Sequence, residues 1–197
     1  MYRLMKEGYV HVVDADLRSY FDTIPHGPLM ERVKEKIADG RVLGLVEAYL
    51  NQSVMDTAKE WTPEEGTPQG CVISPLLANI YLDPLDQMMA NAGIEMVRYA
   101  DDLVLMCRSR GISEEALRLL REWVESAELE LHPEKTRVVD AQTEDFEFLG
   151  YHFERGYIWP RKKSVDKLKD GIRAKTNRTK LKSLQAIIMD VNRTLRG

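Results

Sequence analysis

The chemistry open to this sequence rests on two acidic stretches. The run Val97-Arg98-Tyr99-Ala100-Asp101-Asp102-Leu103-Val104-Leu105-Met106 leads an apolar, β-prone segment into a pair of carboxylates and another segment out of it. That pattern predicts two strands joined by a tight turn with both acids at its tip. Adjacent carboxylates repel each other, so the tip is either a solvated acidic turn or a place that needs a cation. A second β-prone run, Val10-His11-Val12-Val13-Asp14-Ala15-Asp16, also ends in acid. With Asp16 beside Asp101 and Asp102, three carboxylates would converge. Such a set suits two Mg²⁺ ions roughly 3.5–4 Å apart, with Mn²⁺ as a substitute, which activate an attacking hydroxyl and stabilise a leaving pyrophosphate. Asp14 and Asp16 are two residues apart, so strand alternation points both to one face, and spacing does not choose between them.

The elements that must carry these acids can be read in order. Residues 10–16 form a strand, and Pro25 to Gly27 break the chain. Leu29, Val33 and Ile37 share one helical face and predict a helix over 28–38, stopped by Asp39-Gly40. A second helix spans 41–51, and Val54 to Trp61 read as a short hairpin. The loop 62–73 is rich in Gly, Pro and Thr. Ser74 is suited to cap a long helix with Pro75 in its first turn, running to about Ala90 with a kink at Pro84. Strands 94–100 and 102–108 flank the acidic pair. A helix capped by Ser113 presents Leu117, Leu120, Trp123, Val124 and Ala127 as its apolar side. Residues 136–140 make a strand, and 146–153 and 157–159 flank a turn at Arg155-Gly156. Two helices, 164–175 and about 179–195, follow Pro160. Local strand pairing with helices on one side defines an α+β fold.

Composition narrows the function classes. The 197 residues, 44% hydrophobic and 30% charged, are ordinary globular values. No apolar run reaches the ~18 residues of a membrane span, and the first residues do not form a signal peptide. Cys71 and Cys107 form no metal pattern, which suits a reducing, cytoplasmic compartment, bacterial or organellar. His11, His26, His132 and His152 show no ligand spacing. The net charge of −4 hides an asymmetry: 13 of the 28 Lys and Arg, but only 3 of the 32 Asp and Glu, lie in residues 155–197. A basic block with interleaved Leu, Ile and Val fits a phosphate backbone, whereas a merely solvated helix face would mix signs. Its candidate contacts are Arg161, Lys162, Lys163, Lys167, Arg173 and Lys175.

The motifs resemble those of reverse transcriptases. Tyr99-Ala100-Asp101-Asp102 matches their YADD box, Val13 to Asp22 matches their first catalytic motif, and Gly66 to Leu82 is similar to their third signature in its group II intron form. Three motifs in the right order are far more specific than any one. The resemblance implies a right-hand polymerase palm, an antiparallel sheet with helices on one face, followed by a basic helical thumb segment. Palm would cover 1–24 and 74–159, part of the fingers 25–73, and the start of the thumb or maturase domain 160–197. It implies an RNA-directed DNA polymerase of the group II intron type that adds dNTPs to a DNA primer on an RNA template, with intron RNA as a further partner. The alternatives are an intron maturase that binds RNA with polymerisation secondary, and an RNA-dependent RNA polymerase.

Residue by residue, the resemblance selects Asp16, Asp101 and Asp102 as metal-binding catalytic acids, with the backbone carbonyl of Leu17 as a further ligand, Asp101 on both ions, and Asp14 left structural. Phe21 stands where related RNA polymerases place an acid that accepts the ribose 2′-OH. An apolar ring offers that hydroxyl no partner, at a cost of roughly 1–3 kcal/mol, and so favours dNTPs. Gln69 would contact the incoming nucleotide, and Lys135 the triphosphate. Phe148-Leu149-Gly150-Tyr151 is similar to the primer grip. Cys71 departs from the pattern, which usually has a second Gly there. The resemblance also implies a piece of a longer protein, lacking front fingers segments. Such a piece would extend primers poorly by itself and would expose apolar surface that favours a homodimer.

Overall fold

The computed structural model describes residues 1–52, 54–56, 59–61, 65–67, 71–177 and 183–196. In chain order the elements are α1 (Tyr2–Lys6), β1 (His11–Asp16), α2 (Tyr20–Thr23), α3 (His26–Lys36), α4 (Gly40–Leu50), β2 (Val54–Asp56), β3 (Lys59–Trp61), α5 (Ser74–Asn91), β4 (Glu95–Tyr99), β5 (Asp102–Cys107), α6 (Arg110–Ser126), β6 (Arg137–Asp140), β7 (Asp145–Phe148), β8 (Tyr151–Glu154), β9 (Tyr157–Pro160), α7 (Lys162–Lys175) and α8 (Leu184–Arg196). The central sheet is antiparallel with strand order β4-β5-β1-β6. It buries both faces. Val13, Ala15, Leu103, Leu105 and Cys107 pack with Leu77, Tyr81 and Leu85 of α5 and Leu120 and Val124 of α6. Val12, Val104, Met106 and Val139 face Met5 and the aromatic rings Phe146, Phe148 and Phe153 of the β7-β8-β9 meander. Burial on both faces explains why Leu103 to Cys107 read as an unbroken apolar run instead of an alternation.

Several boundaries differ from the sequence expectation for identifiable reasons. Helix α5 is flanked by Ile73, so Ser74 is not its cap; its hydroxyl is buried and shares a 2.8 Å hydrogen bond with the Tyr49 hydroxyl. Pro84 sits inside α5, where the helix continues to Asn91. Helix α6 starts earlier than expected: Ser109 caps it by accepting from the Ile112 N–H, while Ser113 is buried one turn inside and donates to the Arg110 carbonyl. Residues 146–153 are not one strand. They fold back at Leu149-Gly150, where φ is +48° and +82°, as they do again at Arg155-Gly156. Two consecutive positive φ values match the strand twist at a two-residue turn.

The segment after β1 is tied down by a short loop. The Gly66 N–H donates to the Ile24 carbonyl (2.7 Å), the Thr67 N–H to the Phe21 carbonyl (2.6 Å), and the His26 ring bonds the Gly66 carbonyl (2.6 Å). Gly66 has φ +86°, and a Cβ there would lie 2.7 Å from the Asp22 carbonyl oxygen, so only glycine permits this approach.

Candidate active site

The sheet face towards the meander is apolar at one end and acidic at the other. Along β1 that face carries Val12, Asp14 and Asp16; opposite them on β5 lie Met106, Val104 and Asp102. Asp16 and Asp102 are direct cross-strand partners, a relation that puts Cβ atoms about 5 Å apart. Asp101 occupies the two-residue turn between Tyr99 and Asp102, which pair across β4 and β5. Its neighbour Ala100 has φ +54°, a left-handed conformation that costs a non-glycine residue about 1–2 kcal/mol.

Asp14, Asp16 and Asp102, but not Asp101, border a cleft of about 540 Å³ on its sheet side; Lys135 and Arg137 line it beside them, and Phe148, Leu149, Gly150 and Arg161 across from them. The charge is poorly neutralised. Loss of hydration raises the Asp102 carboxyl above its ordinary value, and the charges of Asp101 and Asp16 add to the shift. Asp14 is pushed up to about 6, chiefly by burial, against the pull of Arg137 and with the push of Asp102 and Asp16. Its carboxylate lies 3.8 Å from Arg137. Lys135 Nζ donates to Asp16 Oδ2 at 2.5 Å, and that bond, with the Asp16 charge, holds the ammonium more firmly protonated than usual.

The sequence-predicted residues fall in several places. Leu17 is buried and bridges Leu131, just beyond the acidic end of β1. Phe21 is half-buried against the core, 5.5 Å edge-on from Tyr20, with its carbonyl held by Thr67. Gln69 lies outside the described residues. Phe148 is a core ring, whereas Leu149 and Tyr151 stand about half exposed around the turn. Arg161 faces the cleft and pairs with Glu147 at 2.7 Å. Arg173 pairs with Asp170, and Lys175 turns into the α7–α8 contact, where it donates to Thr194 and the Asp190 carbonyl. Lys162, Lys163 and Lys167 line one open surface of α7, with Asp166 and Asp170 between them. Sequence reasoning gave no role to Arg98, Arg137 or Glu147. No motif singles them out, and their importance lies in pairings across 12 or more residues or between strands.

Among the described residues no three His, Cys, Asp or Glu side chains are already gathered around one point as a metal site. The donor set nevertheless fits an oxygen-preferring divalent cation. Asp16 and Asp102 oppose each other, Asp101 adds a like charge, and a cationic group already rests on Asp16.

An antiparallel sheet with an acid at the end of one central strand and two at the adjoining hairpin turn defines the palm of a right-hand polymerase. The chain belongs to the family described as reverse transcriptase (RNA-dependent DNA polymerase), whose pattern matches residues 3–153. It is 31% identical over 179 residues to Protein YkfC of Escherichia coli K12, covering 73% of this chain and 47% of that protein. It is 32% identical over 92 residues to the group II intron-encoded protein LtrA of Lactococcus lactis, covering 47% of this chain and 15% of that protein. The chain therefore spans about half or less of these curated relatives. Among solved structures, apo telomerase from Candida tropicalis superposes with a TM-score of 0.70 at 11% identity, over 99% of this chain and 43% of the other, a likeness of fold. Reverse transcriptases act with divalent metal ions. No helix among the described residues is long and apolar enough to cross a membrane.

Proposed function

We propose that this chain forms the palm, part of the fingers and the start of the thumb of a group II intron-type RNA-directed DNA polymerase, with Mg²⁺ as its metal. The observation that carries the reading is the opposition of Asp16 and Asp102 across β1 and β5, with Asp101 in the adjoining turn, at the edge of a cleft walled by the Leu149-Gly150 turn. Similarity to an intron-encoded protein supports the intron type and an intron RNA partner.

In this reading Asp16, Asp101, Asp102 and the Leu17 carbonyl hold two divalent ions. When bound, these ions lower the pKa of the primer 3′-hydroxyl and offset charge on the departing pyrophosphate. Lys135 bonds Asp16 in the free protein; released from that contact, its ammonium would be placed to meet the triphosphate and to give a proton to the departing pyrophosphate. Leu149 and Gly150 support the primer end from across the cleft. Phe21 sets the sugar specificity, and Gln69 contacts the nucleotide. The fingers take residues 25–73 and the thumb begins at 160.

The test is single-nucleotide addition to a DNA primer on an RNA template, in Mg²⁺, with dNTPs and NTPs side by side. Addition of dNTPs in preference to NTPs is expected. Preferred incorporation of NTPs would overturn the reading.

The α7 surface makes a separate prediction. Replacing Lys162, Lys163 and Lys167 by Ala together should reduce the slope of log K against log salt for RNA binding by about 2–3 units. An unchanged slope, measured by fluorescence anisotropy, would place that surface away from RNA.

A further inference from the structure

We propose that Arg98 is a positioning residue that fixes the acidic turn to helix α5; this rests on the reading of Asp101 and Asp102 as nucleotidyl-transfer acids. The Arg98 side chain is only 11% exposed, although it carries a full charge at the edge of the sheet. Its Nε and Nη2 donate to the two carboxylate oxygens of Asp86 at 2.8 and 2.5 Å, a paired fork geometry. Its Nη1 donates to Asn79 Oδ1 at 2.8 Å and to the Ala100 carbonyl at 3.1 Å. Asp86 and Asn79 are seven residues apart on α5, two turns along one face, so the guanidinium is held from two points of a rigid element. The hydrogen bond with Asp86 holds Arg98 even more firmly charged.

What this clamp grips is the least favourable residue of the hairpin. Ala100 has φ +54° immediately before Asp101. A bond to its carbonyl selects that conformation from others that would turn the following carboxylate away. The same stretch of α5 also fixes the other acid-bearing element. The Tyr20 hydroxyl donates to the Ala78 carbonyl at 2.6 Å, and Tyr20 lies four residues after Asp16. Both acidic positions are thus referenced to residues 78 and 79 of α5, one through Tyr20 and the other through Arg98. Lysine cannot replace the guanidinium, because an ammonium offers no planar fork to bind Asp86 with two parallel bonds while still reaching Asn79 and the turn.

The experiment compares the wild-type chain with Arg98→Lys and with Arg98→Lys/Ala100→Gly. Amide hydrogen exchange is read without substrate, and single-nucleotide addition is read with it. In Arg98→Lys, exchange at Asp102, which pairs with Tyr99 across the turn, should quicken at least about tenfold while Val12 to Ala15 keep their protection. The rate constant kcat should fall about 10- to 100-fold with KM for dNTP little changed. Glycine removes the left-handed penalty at position 100, so the double variant should recover about fivefold or more of the lost rate. Unchanged exchange at the turn, or loss of protection spread evenly through the sheet, would overturn the clamp. Because exchange needs no substrate, a loosened turn in a protein that adds NTPs in preference to dNTPs would count against the polymerase reading and leave the clamp standing.

Discussion

Asp101→Asn should lower nucleotide addition by at least about 10³-fold, equivalent to about 4 kcal/mol of barrier, while leaving the fold and RNA affinity nearly intact. The expectation follows from where the residue sits. Asp101 is in the turn, outside the buried core, so its side chain holds little of the fold together. Its charge raises the neighbouring Asp102 carboxyl, so neutralising it relieves repulsion in the metal-free protein. The thermal midpoint of the variant should equal or exceed that of the parent, while single-nucleotide addition collapses. Equal addition rates for variant and parent in Mg²⁺ would remove Asp101 from the chemistry.

Phe21→Val should relax sugar selection, lowering the ratio of kcat/KM for dNTP over NTP by about 10- to 200-fold. Phe21 is held from behind: its carbonyl accepts from the Thr67 N–H, and its ring packs edge-on against buried Tyr20. The ring is therefore held stiffly, and shortening it to an isopropyl group opens space instead of letting the backbone follow. Valine also keeps the position apolar, which limits the loss of packing. The ratio is read from competing dNTP and NTP additions; an unchanged ratio would make Phe21 a core ring with no gating role.

The parts of this protein most legible in its sequence are those fixed by local pattern. The run into and out of Asp101-Asp102 announces a hairpin, and the apolar stripe of Leu120, Val124 and Ala127 announces the helix that covers the sheet. The distinction between Asp14 and Asp16 is not local. Both point to the same face, and the structure separates them by partners: Asp14 lies towards Arg137 and Asp16 bonds Lys135. Helix starts slip for a related reason. Ser74 and Ser113 have the right residue type for caps, but a tertiary contact with Tyr49 claims the first hydroxyl and the Arg110 carbonyl of the same helix claims the second. The meander was half visible, since Arg155-Gly156 marks one turn plainly, whereas Leu149-Gly150 hides a second within an aromatic run. Charge counting found the basic end of the chain but not its sorting. Arg161 and Lys175 turn inward to Glu147 and to α8, and Lys162, Lys163 and Lys167 form the open surface.

The most direct test of the central claim is paramagnetic broadening of amide signals by Mn²⁺ titrated into the isotope-labelled chain. It reports metal position without requiring turnover. The account predicts broadening centred on Asp16, Leu17, Asp101 and Asp102, competed by Mg²⁺ and strongly reduced in Asp101→Asn. Broadening centred instead on the acidic side chains of the meander, Asp145, Glu147 and Glu154, with the hairpin turn unaffected, would contradict it.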